Sequence, residues 1–65
     1  MEILLNGKSV EIGDRSSVAD LLRELAVSGR FAVEVNEQIV PRSGFAAHGL
    51  RRGDKVEIVR AIGGG

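Results

Sequence analysis

The chain has no cysteine, tryptophan or tyrosine, one proline, one methionine and two phenylalanines in 65 residues. Without cysteine there is no disulfide to supplement a small core, no thiolate to ligate zinc and no thiol nucleophile. Two aromatic rings are too few for a platform on which nucleic-acid bases stack. Charge of one sign is missing as well. Nine Lys and Arg balance nine Asp and Glu, and their interspersion removes the electrostatic footprint of a duplex-binding or membrane-surface protein. No apolar run approaches the ~20 residues of a membrane span. The first segment, "MEILLNGKSV", lacks a basic stretch leading into an apolar one. The expectation is a cytoplasmic protein, monomeric when free, with no nucleic-acid and no membrane partner.

What the chain does have is short apolar runs whose period changes along the sequence. "EILLNGKSVEI" sets two of them around Asn6-Gly7, a dipeptide suited to a type I′ hairpin turn. Strands are expected at Glu2 to Leu5 and Lys8 to Ile12, with Ile3, Leu5, Val10 and Ile12 on one face and Leu4 on the other. In "SSVADLLRELAVSG" the residues Val18, Leu21, Leu22 and Leu25 recur at helical spacing. A helix is expected from about Val18 to Val27, opened by a Ser17/Asp20 capping box and closed by Gly29.

"FAVEVNEQIVPR" returns to period two, with Val33 and Val35 inward, a turn at Asn36-Glu37, and a short strand over Gln38 to Val40 that Pro41 ends. "SGFAAHG" reads as a loop or a single helical turn, with Phe45 plugging the core beneath it. His48, the one histidine, has no cysteine or acidic cluster beside it and reads as a solvated loop residue rather than a ligand or base. After the "RRGD" turn, "KVEIVRAI" places Val56 and Ile58 inward and Lys55, Glu57 and Val59 outward.

A chain this short buries only about 60% of its unfolded surface, so one simple core is all it can support. One helix on a single mixed sheet of four to five strands satisfies that limit, an α+β arrangement. Connecting the second and third strands through the helix, with the last strand beside the first at the sheet centre, gives the ubiquitin-like β-grasp. Residues 1–62 form that domain, and residues 63–65 are expected to be a flexible glycine tail.

Three glycines in succession are a poor way to complete a fold, because glycine packs nothing and loses the most freedom when ordered. One reading is a disordered tail or a cloning remnant. The other is a peptide finger ending in the Gly65 carboxylate, whose lack of side chains lets it thread a narrow channel in another protein. A carboxylate becomes a good acyl donor once adenylated on the α-phosphate of ATP. No cradle for that ATP is visible here: "NGKS" lacks the G-x-x-x-x-G-K-[ST] spacing and sits in a hairpin. Paired acid-base carboxylates and an activated nucleophile are likewise missing, so the chain is not read as an enzyme, and no bound cofactor or metal is expected.

The segments "ILLNGKSVEI", "SVADLLREL", "VEVNEQIVPRSGF" and "GDKVEIVRAIGGG" together resemble the ThiS family of thiamin-biosynthesis sulfur carriers over the whole chain. The resemblance implies a carrier that acts as a co-substrate, with Gly65 adenylated and then converted to a thiocarboxylate. It implies an E1-like, ThiF-type adenylyltransferase that uses ATP and Mg, a sulfur donor such as a cysteine desulfurase, and a ThiG-type thiazole synthase as acceptor. Gly64 and Gly65 match the family's terminal pair, and Gly63 lengthens the part that threads into partner active sites. Leu4, Val59 and Ile62 are the candidate partner-binding surface, with Leu4 and Val59 expected to be neighbours. Arg42 receives no role. Other thiocarboxylate carriers, such as the small subunit of molybdopterin synthase, remain alternatives, as do a ubiquitin-like modifier and an S4-type RNA-binding module.

Overall fold

Asn6 and Gly7 have φ values of 49° and 84°, the left-handed pair that lets a two-residue turn follow the twist of its flanking strands. They join β1 (Glu2–Leu5) to β2 (Lys8–Glu11) in an antiparallel hairpin. A second hairpin joins β3 (Phe31–Val35) to β4 (Gln38–Val40), and its turn residues Asn36 and Glu37 are also left-handed, at 51° and 69°. The computed structural model describes residues 1–60. Among these, β5 (Lys55–Arg60) lies between the two hairpins, parallel to β1 and antiparallel to β3. The strand order β2-β1-β5-β3-β4 makes a five-stranded mixed sheet. This is the expected β-grasp. The boundary expected between residues 62 and 63 lies outside the described residues.

Helix α1 (Val18–Glu24) connects the hairpins and covers one face of the sheet. Its start is the expected capping box: Asp20 N–H donates to Ser17 Oγ at 3.1 Å, and Ser17 N–H donates to Asp20 Oδ2 at 2.9 Å. The amides of Val18 and Ala19 reach the carbonyls of His48 and Phe45 at 2.9 and 3.0 Å, so the first turn leaves few orphan donors. Val18, Leu21 and Leu22 bury against Ile3, Val33, Val35 and Val56.

The helix is shorter than its apolar spacing predicts. Ala26, at φ 54°, is the left-handed residue that closes the helix; Gly29 is left-handed too, at φ 84°, but lies three residues further on. The Ala26 N–H bonds the carbonyl of Arg23, and the N–H of Val27 bonds the carbonyl of Leu22, both at 3.1 Å. This paired arrangement closes the helix three residues early and returns Val27 to the edge of the core. Leu25, expected in the buried stripe, is the C-cap and is 43% exposed. Strand β2 likewise stops at Glu11, although Ile12 remains buried. Pro41 follows the edge strand β4, as its missing donor requires. A 3-10 turn over Arg42–Gly44 then leads to Phe45, which is half-buried at the core margin rather than a full plug.

Candidate functional site

The expected reactive residue, Gly65, lies outside the described residues, as do Gly64, Gly63 and Ile62. What the structure describes is β5, the strand that precedes them in sequence, and the surface around its last residue. β5 is pinned near its start from the β3–β4 turn. Asn36 donates its N–H to the Lys55 carbonyl at 2.8 Å and accepts the Lys55 N–H on Oδ1 at 3.0 Å. Its side-chain amide also donates to Asp54 Oδ1 at 3.0 Å. On the other flank, β1 ends at Leu5 and Asn6 takes over. Its N–H bonds the Val56 carbonyl at 2.9 Å, and its Oδ1 accepts the Ile58 N–H at 2.9 Å. Pairing with β3 continues to Phe31 opposite Arg60. A central strand bonded on both sides is a firm base for whatever follows it.

Alternation places Ala32 and Glu34 of β3, and Glu57 and Val59 of β5, on the face away from the helix. Ala32 lies opposite Val59, and Glu34 opposite Glu57. Leu4 is on that face too, 38% exposed, but its β5 partner is Lys55. Leu4 and Val59 are therefore not neighbours. The parallel register sets them four residues apart along β5, on the order of 13 Å at ~3.3 Å per residue. The single patch expected from the sequence separates into Leu4 beside Lys55 and Gly7, and Val59 in a hollow of about 330 Å³ formed with Arg30, Phe31, Ala32 and Arg60.

Arg42, without a role in the sequence, packs its guanidinium 5.2 Å from the centre of the Phe31 ring and donates to the Gly29 carbonyl at 3.3 Å. Phe31 in turn stacks on Phe45 with ring centres 6.1 Å apart. Extending the β3–β4 register two residues beyond the Val33–Val40 pair sets Arg42 opposite Phe31, so the hairpin pattern carried this signal. Asn6 was legible only as a turn residue; its bond to Ile58 requires knowing that β5 lies beside β1.

His48 is half-buried and lines a polar groove of about 420 Å³ with Asn36, Gln38, Arg51 and Asp54. This groove adjoins the start of β5, away from Arg60. Among the described residues no three His, Asp or Glu side chains are grouped as metal ligands would be, and no helix is long and apolar enough to cross a membrane. The Asn6-Gly7-Lys8-Ser9 sequence forms a hairpin turn and the start of β2, without the strand-to-helix junction of a phosphate loop.

The ThiS family model matches residues 3–65. The chain belongs to the ThiS family. It is 33% identical to the sulfur carrier protein ThiS of Escherichia coli over 66 residues that span both chains completely. It is 44% identical over 66 residues to a thiazole synthase of Paramagnetospirillum magneticum, where the match takes in all of this chain and 20% of that protein. The chain thus spans about a fifth of the thiazole synthase it resembles. A crystal structure of the thiamine biosynthesis protein ThiS from Geobacter metallireducens superposes with a TM-score of 0.87 at 32% identity, covering all of both chains. A solution structure of a thiamine biosynthesis protein from the same organism gives 0.82 at 33% identity, covering all of this chain and 88% of that one.

Proposed function

We propose that this chain carries sulfur for thiazole formation in thiamin biosynthesis, as a thiocarboxylate on Gly65. The observation that carries the proposal is the family match, which runs through Gly65, together with end-to-end similarity to a sulfur carrier protein. In this reading a Gly65 carboxylate oxygen attacks the α-phosphate of ATP and pyrophosphate leaves; the donor's persulfide then displaces AMP from the acyl carbon, and a thiol reductant cleaves the resulting acyl disulfide to the thiocarboxylate. Glycines at 63 and 64 suit the passage, since no Cβ obstructs a narrow channel.

The chain acts as co-substrate, not catalyst. ATP and Mg are held by an E1-like adenylyltransferase of the ThiF type, and a donor such as a cysteine desulfurase supplies the sulfur. A thiazole synthase of the ThiG type is the acceptor. Support for that last partner comes from the P. magneticum protein, in which a segment like this whole chain forms part of a protein named thiazole synthase.

Deleting Gly64 and Gly65 tests the proposal. The truncated chain keeps every core side chain and both helix caps, so its melting temperature should match the full chain. Its ATP-dependent pyrophosphate release with the adenylating enzyme should vanish. Undiminished release from the truncated chain would defeat the assignment of the reactive group to Gly65.

A further inference from the structure

Strand β5 runs past both of its neighbours, and a side chain stands at each overrun. On one flank the β1 register ends at Leu5 opposite Val56, and Asn6 carries the contact on to Ile58. From Val59 onward the described part of β5 has β3 alone beside it. The bond from Asn36 N–H to the Lys55 carbonyl sets the alternation of that ladder. Ala32 and Val59 are then a hydrogen-bonded pair, and Phe31 and Arg60 the non-bonded pair that follows. The end of β5 is only as steady as the start of β3.

Among the described residues, that start has no strand on its other flank. The β4 register ends at Val40 opposite Val33, Pro41 has no N–H to donate, and the chain leaves into the 3-10 turn at Arg42. Ala32 and Phe31 project beyond β4, and what meets them is a side chain. The Arg42 guanidinium lies 5.2 Å from the centre of the Phe31 ring and donates to the Gly29 carbonyl at 3.3 Å. Phe45 stacks on the same ring, with the two planes 16° apart. A planar guanidinium can stack on a ring and donate from its edge at the same time, which suits Arg42 to fasten both Phe31 and the loop before it.

We propose that Arg42 is a positioning residue for the activation of Gly65: by fastening Phe31 and Gly29 it steadies the start of β3, and through the Ala32–Val59 pair it steadies the end of β5. The inference rests on the carrier reading above. Order already present in the free chain does not have to be supplied on binding. The role is therefore expressed in KM for the carrier and not in kcat.

The test is ATP–pyrophosphate exchange by the adenylating enzyme encoded in the same genome, measured against concentration of the full-length carrier. Wild type is compared with Arg42→Ala, Phe31→Leu and the double variant, and melting curves verify that each folds. Arg42→Ala should raise KM about three- to fivefold with kcat retained, the scale of one partly exposed cation–π contact. Its Val59 amide should exchange with solvent faster by a similar factor, while the Ile58 amide, held by Asn6, and the amides of α1 keep their protection. In the double variant KM should be no higher than in the worse single variant, because Arg42 acts through the ring. Additive effects overturn the proposal, since Arg42 would then meet the enzyme directly. So does a fall in kcat with KM unchanged, or an unaltered Val59 amide. Equal KM for all four proteins, with pyrophosphate exchange still abolished by deletion of Gly64 and Gly65, overturns it and leaves the carrier reading standing. No pyrophosphate exchange with the wild-type carrier overturns both.

Discussion

Asn6 Oδ1 accepts the backbone N–H of Ile58 at 2.9 Å across 52 residues of sequence. One turn residue thereby extends the parallel contact between β1 and β5 beyond the last strand residue of β1. Asn6→Gly keeps a residue that tolerates positive φ and removes only the side chain. The variant should lose about 1 kcal/mol, the usual net value of such a bond. For a domain of this size that lowers the melting temperature by about 4–8 °C. Amide exchange at Ile58 should quicken while the amides of α1 keep their protection. Unchanged melting and unchanged exchange at Ile58 would show that solvent replaces the bond at no cost.

Ala26 occupies the left-handed position that closes α1, where a Cβ crowds the following carbonyl. Ala26→Gly relieves that crowding and also loosens the unfolded chain, two opposed effects. The first is the larger, so the variant should be more stable by about 0.5–1 kcal/mol. Thermal melting measures it. A destabilised variant would mean that the left-handed geometry costs less than the freedom glycine adds to the unfolded state.

The capping box makes a pH-dependent contribution. The Ser17 backbone N–H foremost, then the Ser17 hydroxyl and the Arg23 guanidinium, hold the Asp20 carboxyl below its ordinary value. A folded-state pKa below the unfolded one stabilises the fold above the unfolded pKa, and the contribution is lost as pH falls through the folded value. Asp20→Asn keeps an acceptor oxygen but no charge. The melting temperature of wild type should exceed that of the variant at neutral pH, with the gap closing as the solution is acidified. A gap constant across the acid range would show that the charge contributes nothing.

These three sites mark what the sequence discloses and what it withholds. Periodicity located the strands and the helix because inward residues such as Val33, Val35 and Val56 repeat at the spacing that burial requires. The Ser17–Asp20 cap was legible because its partners are three residues apart. The helix end was not, because its left-handed residue is alanine rather than the expected glycine. Nor was the separation of Leu4 from Val59: alternation gives the face of each residue, but only strand register gives the distance between them. The placing of Arg60 opposite Phe31 was hidden for the same reason, since it needs the β3–β5 register, whereas Arg42 can be set opposite Phe31 by extending the β3–β4 hairpin. Gly63, Gly64 and Gly65 were singled out by composition and by resemblance alone.

The central claim concerns one atom, a carboxyl oxygen of Gly65. The measurement is the intact mass of the chain after incubation with the adenylating enzyme, ATP, Mg, a sulfur donor and a thiol reductant, followed by fragmentation of its C-terminal peptide. The account predicts a gain equal to sulfur replacing oxygen, located at Gly65 and dependent on ATP. An unchanged mass with partner enzymes of demonstrated activity, or a gain located at any other residue, would contradict it.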